Sequence, residues 1–182
     1  TDLLYGMVTG KSWVLVPETV KFNLVGKLSE GVYARDLILT IIGTIGANGC
    51  NYQVMEFTGE GAKTLSISER MVLCNMAVEA GAKTGIFEPD EKALEYLEAH
   101  GRKPKALFNS DPDAVYAREY TFDLSKIRPV VAKPDFVDNL VPAEEVRGVK
   151  IDEAFLGSCN NGRIEDLRVG ASIIKGKKVA EK

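Results

Sequence analysis

The chain has 182 residues, 45% hydrophobic and 27% charged, with 26 acidic against 23 basic side chains and a formal net charge of −3. That length can bury a core of useful size, and the composition is ordinary for a globular protein. The charge balance gives no electrostatic case for nucleic acid. The longest apolar stretch, Leu37–Ile45, is broken by Thr40, Gly43 and Thr44, so no membrane span is expected.

Taken in order, 1–10 is weakly helical, and Trp13–Val16 is an apolar run closed by Pro17. Val20, Phe22 and Leu24 alternate with Lys21 and Asn23, the period of a half-buried strand. Leu37, Ile38, Ile41, Ile42 and Ile45 recur at helical spacing, which predicts a helix over 34–45 ended by the Gly46–Gly49 turn. Tyr52–Phe57 is a strand. Ser66 and Glu69 form a capping-box pattern, predicting a helix from there to about Ala80, with Gly81 as its stop. Thr84–Phe87 is a short strand, and Pro89-Asp90-Glu91 opens an exposed helix over 92–100. Residues 103–112 are loop, 113–118 a short helix, and Tyr120, Phe122 and Leu124 mark a further strand. Ser125–Gly148 carries Pro129, Pro134 and Pro142 with little periodicity, the pattern of a linker. Ile151–Leu156 is an apolar strand candidate, followed by a Gly157–Gly162 turn and a helix over 163–175. Alternating strands and helices give an α/β fold, divided into units 1–127 and 128–182.

Chemistry-bearing residues are few. Cys50, Cys74 and Cys159 are widely spaced and odd in number, which excludes a secreted disulfide framework and suggests a reducing cytoplasm. Cys74 lies among Met, Leu and Val and reads as a small buried hydrophobe. Cys50 is a loop residue or buried thiol. Cys159 stands where a strand gives way to a helix, a place that favours a thiolate, as a nucleophile or metal ligand requires. Asn75 and Glu79, four apart, share one helix face; from pattern alone Glu79 is an exposed position beside Ala80 and Lys83. Arg163 and Arg168 could meet a carboxylate, though such arginines more often pair with Glu165 or Asp166. His100, the only histidine, suits a helix C-terminus, and no Ser-His-Asp triad or nucleotide-binding glycine motif is present.

The segment Gly157–Leu167, GSCNNGRIEDL, resembles the GSCTNGR-x-EDL signature of the aconitase superfamily, in its isopropylmalate/homoaconitate isomerase branch. Asn160 replaces the usual Thr and keeps a short polar side chain. SISERMVLCNMAVEAGAK, PETVKFNLVGKL, GVYARDLIL and EFTGE extend the likeness over nearly the whole chain. The resemblance implies layered α/β/α units and a hydro-lyase of leucine-type amino-acid biosynthesis. Such an enzyme moves a hydroxyl of a di- or tricarboxylate to the adjacent carbon, isopropylmalate first and homocitrate or homoaconitate next. It implies a [4Fe-4S] cluster with Cys159 as one of three ligands, Glu79 at the open iron and substrate hydroxyl, and Asn75 and Asn161 behind the ligands. It also implies a small-subunit partner that carries the base and much of the substrate choice. A GDSHT-type motif would lie before Thr1 and a G-x-C-x-x-C segment with the other two cysteines after Lys182. The chain alone is therefore expected to be a truncated, inactive piece. Two other readings stay open: a non-catalytic binding or assembly module, and a thiol-dependent enzyme using Cys159.

Overall fold

A computed structural model describes residues 2–178; Thr1 and 179–182, which the first helix expectation and the second proposed unit include, lie outside the described residues. The centre is a four-stranded parallel sheet in the order β3-β2-β1-β4, with β1 Thr19–Val25, β2 Val54–Thr58, β3 Thr84–Phe87 and β4 Arg118–Asp123. Every neighbouring pair runs parallel, so each connection is a crossover. The α/β class read from the sequence is borne out.

Alternation decides which face of β1 is covered. Val20, Phe22 and Leu24 are fully buried, while Lys21 and Asn23 are half-buried. Register places Tyr120, Phe22, Phe57 and Phe87 side by side across the four strands. Their rings meet at centroid distances of 5.5, 5.6 and 5.0 Å, an aromatic ladder that fixes strand register. On the opposite face Glu56, only 4% exposed, accepts hydrogen bonds from Ser110 Oγ at 2.8 Å and Tyr116 OH at 2.9 Å. Those bonds fasten the 103–117 loop over the sheet.

The helix α1 (Asp2–Thr9) buries none of its residues. The next, α2 (Ala34–Ile45), buries Leu37, Ile38, Ile41 and Ile42 completely, each worth about 1.5–3 kcal/mol of transfer free energy. Asp36 Oδ2 accepts from Tyr33 N–H at 2.9 Å and closes its N-terminus. A short helix absent from the sequence reading, α3 (Glu60–Thr64), follows β2. Gly59 makes the turn possible: its φ is +91°, and a Cβ there would land against Asn23 Oδ1 and the Leu24 carbonyl. The Ser66–Glu69 capping box forms as expected and opens α4 (Ile67–Met76). The α-helix ends four residues early, passing into a 3-10 turn over Ala77–Ala80, with Gly81 in the left-handed conformation as its stop. After β3, α5 (Glu91–Ala99) starts from an Asp90 N-cap.

Three expectations fail locally. Residues 113–118 form a turn leading straight into β4, not a helix, because Ala117 N–H already joins Thr19 O beside the sheet. The proline-bearing segment 125–148 holds an antiparallel hairpin, β5 (Val130–Ala132) with β6 (Leu140–Pro142). Its Leu140 packs so closely on α2 that a Cβ on Gly43 would lie 2.5 Å from Leu140 Cδ1. The third is the strand over 151–156, which does not form. Those residues are exposed and irregular, with a bend at Asp152, and none of the described strands runs alongside to supply a hydrogen-bond ladder. The chain then enters α6 (Ser158–Asn161) and α7 (Ile164–Ile174), the latter as expected.

Candidate functional site at the Cys159 loop

Among the described residues no helix is long and apolar enough to cross a membrane, and no group of three or more His, Cys, Asp or Glu could hold a metal ion. The informative geometry is where α4 meets α6.

The fixed side is α4. Arg70, 5% exposed, reaches Asp90 through two hydrogen bonds of 2.8 and 2.6 Å. Those bonds hold the Asp90 carboxyl below the usual range, opposed in part by desolvation and helped by Ala93 N–H. The pair ties α4 to the start of α5. Val72, Leu73 and Met76 are buried, whereas Asn75 and Glu79 are exposed. Met71 and Cys74 are half-buried and Val78, on the 3-10 turn, is exposed, so Cys74 is less fully buried than its Met, Leu and Val neighbours suggested.

The exposed face meets the loop. Asn75 Nδ2–H donates to the Cys159 carbonyl oxygen at 2.9 Å, and Arg163 Nη1–H donates to the same oxygen at 3.0 Å. Arg163 thus turns back on its own loop and forms no ion pair with Glu165 or Asp166. Arg35 Nη1–H donates to Asn161 Oδ1 at 3.0 Å, and Ser68 Oγ–H to Glu165 Oε2 at 3.2 Å. Ser158, immediately before the cysteine, has φ +69°, a left-handed conformation that is costly for a residue with a Cβ. The loop is therefore pegged by polar bonds to α2 and α4, with one strained residue at its apex.

Cys159 itself is exposed, and among the described residues its Sγ has one polar partner, Asn160 Oδ1 at 3.6 Å. It sits in the first turn of α6, not at the end of a sheet strand, because the expected strand is absent. Glu79, on the 3-10 turn, lines an open cavity of about 430 Å³ with Arg35, Met76, Lys133, Phe136 and Asn160. The structure thus gathers Asn75, Asn161 and Cys159 in one hydrogen-bonded patch, with Glu79 in a cavity bordered by that patch. The other two thiols lie apart in character. Burial pushes Cys74 up to about 11 and raises Cys50, though Arg118 opposes the latter, so both stay thiols near neutrality. His100 caps α5, its Nδ1 2.7 Å from Tyr96 O and its ring against Tyr96.

Sequence reasoning missed Arg35, Asp36 and the 132–137 segment. Arg35 and Asp36 lie inside the GVYARDLIL segment, but no chemical motif marks them. Nothing local shows that a proline-rich stretch folds back beside Glu79.

Residues 1–149 match the family model described as Aconitase family (aconitate hydratase), and the chain belongs to that family. Within it, the chain is 51% identical over 179 residues to the 3-isopropylmalate dehydratase large subunit of Hydrogenobaculum sp. (strain Y04AAS1), covering 98% of this chain and 42% of that relative. It is 51% identical over 181 residues to a probable 3-isopropylmalate dehydratase large subunit of Methanothermobacter thermautotrophicus, covering 100% of this chain and 43% of that relative. A third, from Caldicellulosiruptor saccharolyticus, is 51% identical over 180 residues, at 98% and 42%. The chain thus spans less than half the length of these relatives.

Proposed function

We propose that this chain is the cluster-loop segment of the large subunit of an aconitase-family hydro-lyase. Its substrate would be a hydroxy polycarboxylate, isopropylmalate first and homocitrate or homoaconitate next, in a reducing cytoplasm. The observation that carries the reading is the Asn75 bond to the Cys159 carbonyl. It joins two of the segments that bear the family likeness, the CNM helix and the GSC loop, into one wall, with Asn160 lining Glu79's cavity.

The donor set fits a [4Fe-4S] cluster only in part. The chain offers one exposed thiol, Cys159, where three are needed. Cys50 is buried and Cys74 half-buried, and desolvation raises both thiols. The remaining ligands belong to the rest of the longer polypeptide, and a small subunit completes the enzyme. When bound, such a cluster supplies an open iron as a Lewis acid. This chain's residues do the rest of what falls to it: Asn75 and Arg163 hold the Cys159 backbone, Arg35 holds Asn161, and Glu79 presents a carboxylate to the substrate hydroxyl. A thiol-dependent enzyme has less support, since Sγ faces an amide oxygen and no base.

The test uses the full-length large subunit with its small subunit. Cys159→Ser should lose the cluster by iron and sulfide analysis. Glu79→Gln should keep it while kcat falls by about a hundredfold or more. A Cys159→Ser enzyme with full cluster and activity would sink the proposal.

A further inference from the structure

Arg35 is held in place with most of its bonding capacity unspent. A guanidinium carries five N–H donors. Among the described residues this one uses a single donor, to Asn161 at 3.0 Å, and no carboxylate lies within ion-pair distance of it. It is half-buried, so water does not compensate it fully. Its backbone is rigid. The next residue, Asp36, accepts from Tyr33 N–H at 2.9 Å and from Val130 N–H at 3.0 Å, pinning the first turn of α2 to the hairpin. Arg35 and Lys133 are the two cations of the Glu79 cavity, and Glu79 and Asp135 its two acids.

We propose that Arg35 binds a carboxylate of the substrate in that cavity. The inference rests on the functional reading above and deepens it. The guanidinium fork suits a carboxylate, and its bond to Asn161 orients it before the ligand arrives. A carboxylate placed beside Glu79 is repelled, so the cavity takes a dicarboxylate in one sense only, with a carboxylate at Arg35 and the hydroxyl toward Glu79. Arg35 thereby links two tasks: its one protein bond steadies the Cys159 loop, and its free donors read the substrate.

The experiment compares wild type, Arg35→Lys and Arg35→Gln in the full-length large subunit with its small subunit. The probe is isopropylsuccinate, which has two carboxylates and no hydroxyl, titrated by calorimetry, with KM and kcat measured alongside. Arg35→Gln should weaken probe binding by about tenfold to a hundredfold and raise KM more than it lowers kcat. Arg35→Lys should recover part of the affinity, since it keeps the charge but not the fork. The probe's diamide should bind wild type and Arg35→Gln alike. Equal probe affinity in all three proteins overturns the role of Arg35 and leaves the hydro-lyase reading standing. Failure of wild type to bind the probe overturns both.

Discussion

Arg70 is the charge with most to lose. Its side chain is 6% exposed, its Nε has no partner among the described residues, and both terminal nitrogens rest on Asp90. Removing one member of such a pair strands the other. Asp90→Asn should therefore cost about 3 kcal/mol, read from urea midpoints, and a loss under about 0.5 kcal/mol would mean the pair is replaceable. The pH dependence has a fixed sign. Asp90 titrates lower in the folded chain than in the unfolded one, so its contribution is present above the ordinary carboxylate pKa near 4 and fades as pH falls through the folded value. Asp90→Asn should flatten that acid limb. Asp90 was legible as a helix opener after Pro89. Arg70 was not, because a guanidinium on a helix is ordinarily solvated and only its distant partner makes burial tolerable.

At the scale of elements, periodic segments were read well and unpaired ones were not. The alternation of Val20, Phe22 and Leu24 and the helical spacing from Leu37 to Ile45 each encode a buried face, and each formed within a residue or two. The run 151–156 had the composition of a strand but lacks a partner, and a strand is a property of two segments. The hairpin was hidden for the converse reason: its stability comes from Leu140 against Gly43 and from Asp36 on Val130, contacts about 94–97 residues apart in sequence. Of the candidate site, the residue types were visible in the motifs, but the bonds that bring Arg35 and Asn75 to the loop were not. Leu140→Ala should loosen the hairpin by about 2 kcal/mol and raise amide exchange at Val130–Ala132, while β1 and β2 keep their protection. Unchanged exchange in the hairpin would show that two bonds suffice to hold it, Asp36 on Val130 N–H and Asp138 Oδ2 accepting from Ala47 N–H at 3.0 Å.

Over the whole molecule, exposed apolar side chains concentrate in two stretches. One comprises Leu3, Leu4, Met7 and Val8 of α1 with Trp13–Val16; the other runs from Ile151 and Phe155 to Ile173 and Ile174. Patches of this kind mark surfaces that something else covers. Trp13 is the chain's only tryptophan and is 72% exposed, so it reports on its own cover. In dilute solution the chain should emit as solvated indole, and the emission should shift to the blue when the segment is placed in a polypeptide of its relatives' length. A blue-shifted spectrum from the dilute chain alone would contradict the exposed placement.

The bonds that define the candidate site span long stretches of chain: 84 residues between Asn75 and Cys159, and 126 between Arg35 and Asn161. Loop-closure entropy must be met before such contacts return anything. During synthesis Glu79 and Arg35 leave the ribosome well ahead of the loop they serve, and the parallel sheet has time to form while their cavity still lacks a wall. The site can therefore close only after residues 157–163 have been made, later than the strands and α4 that receive them.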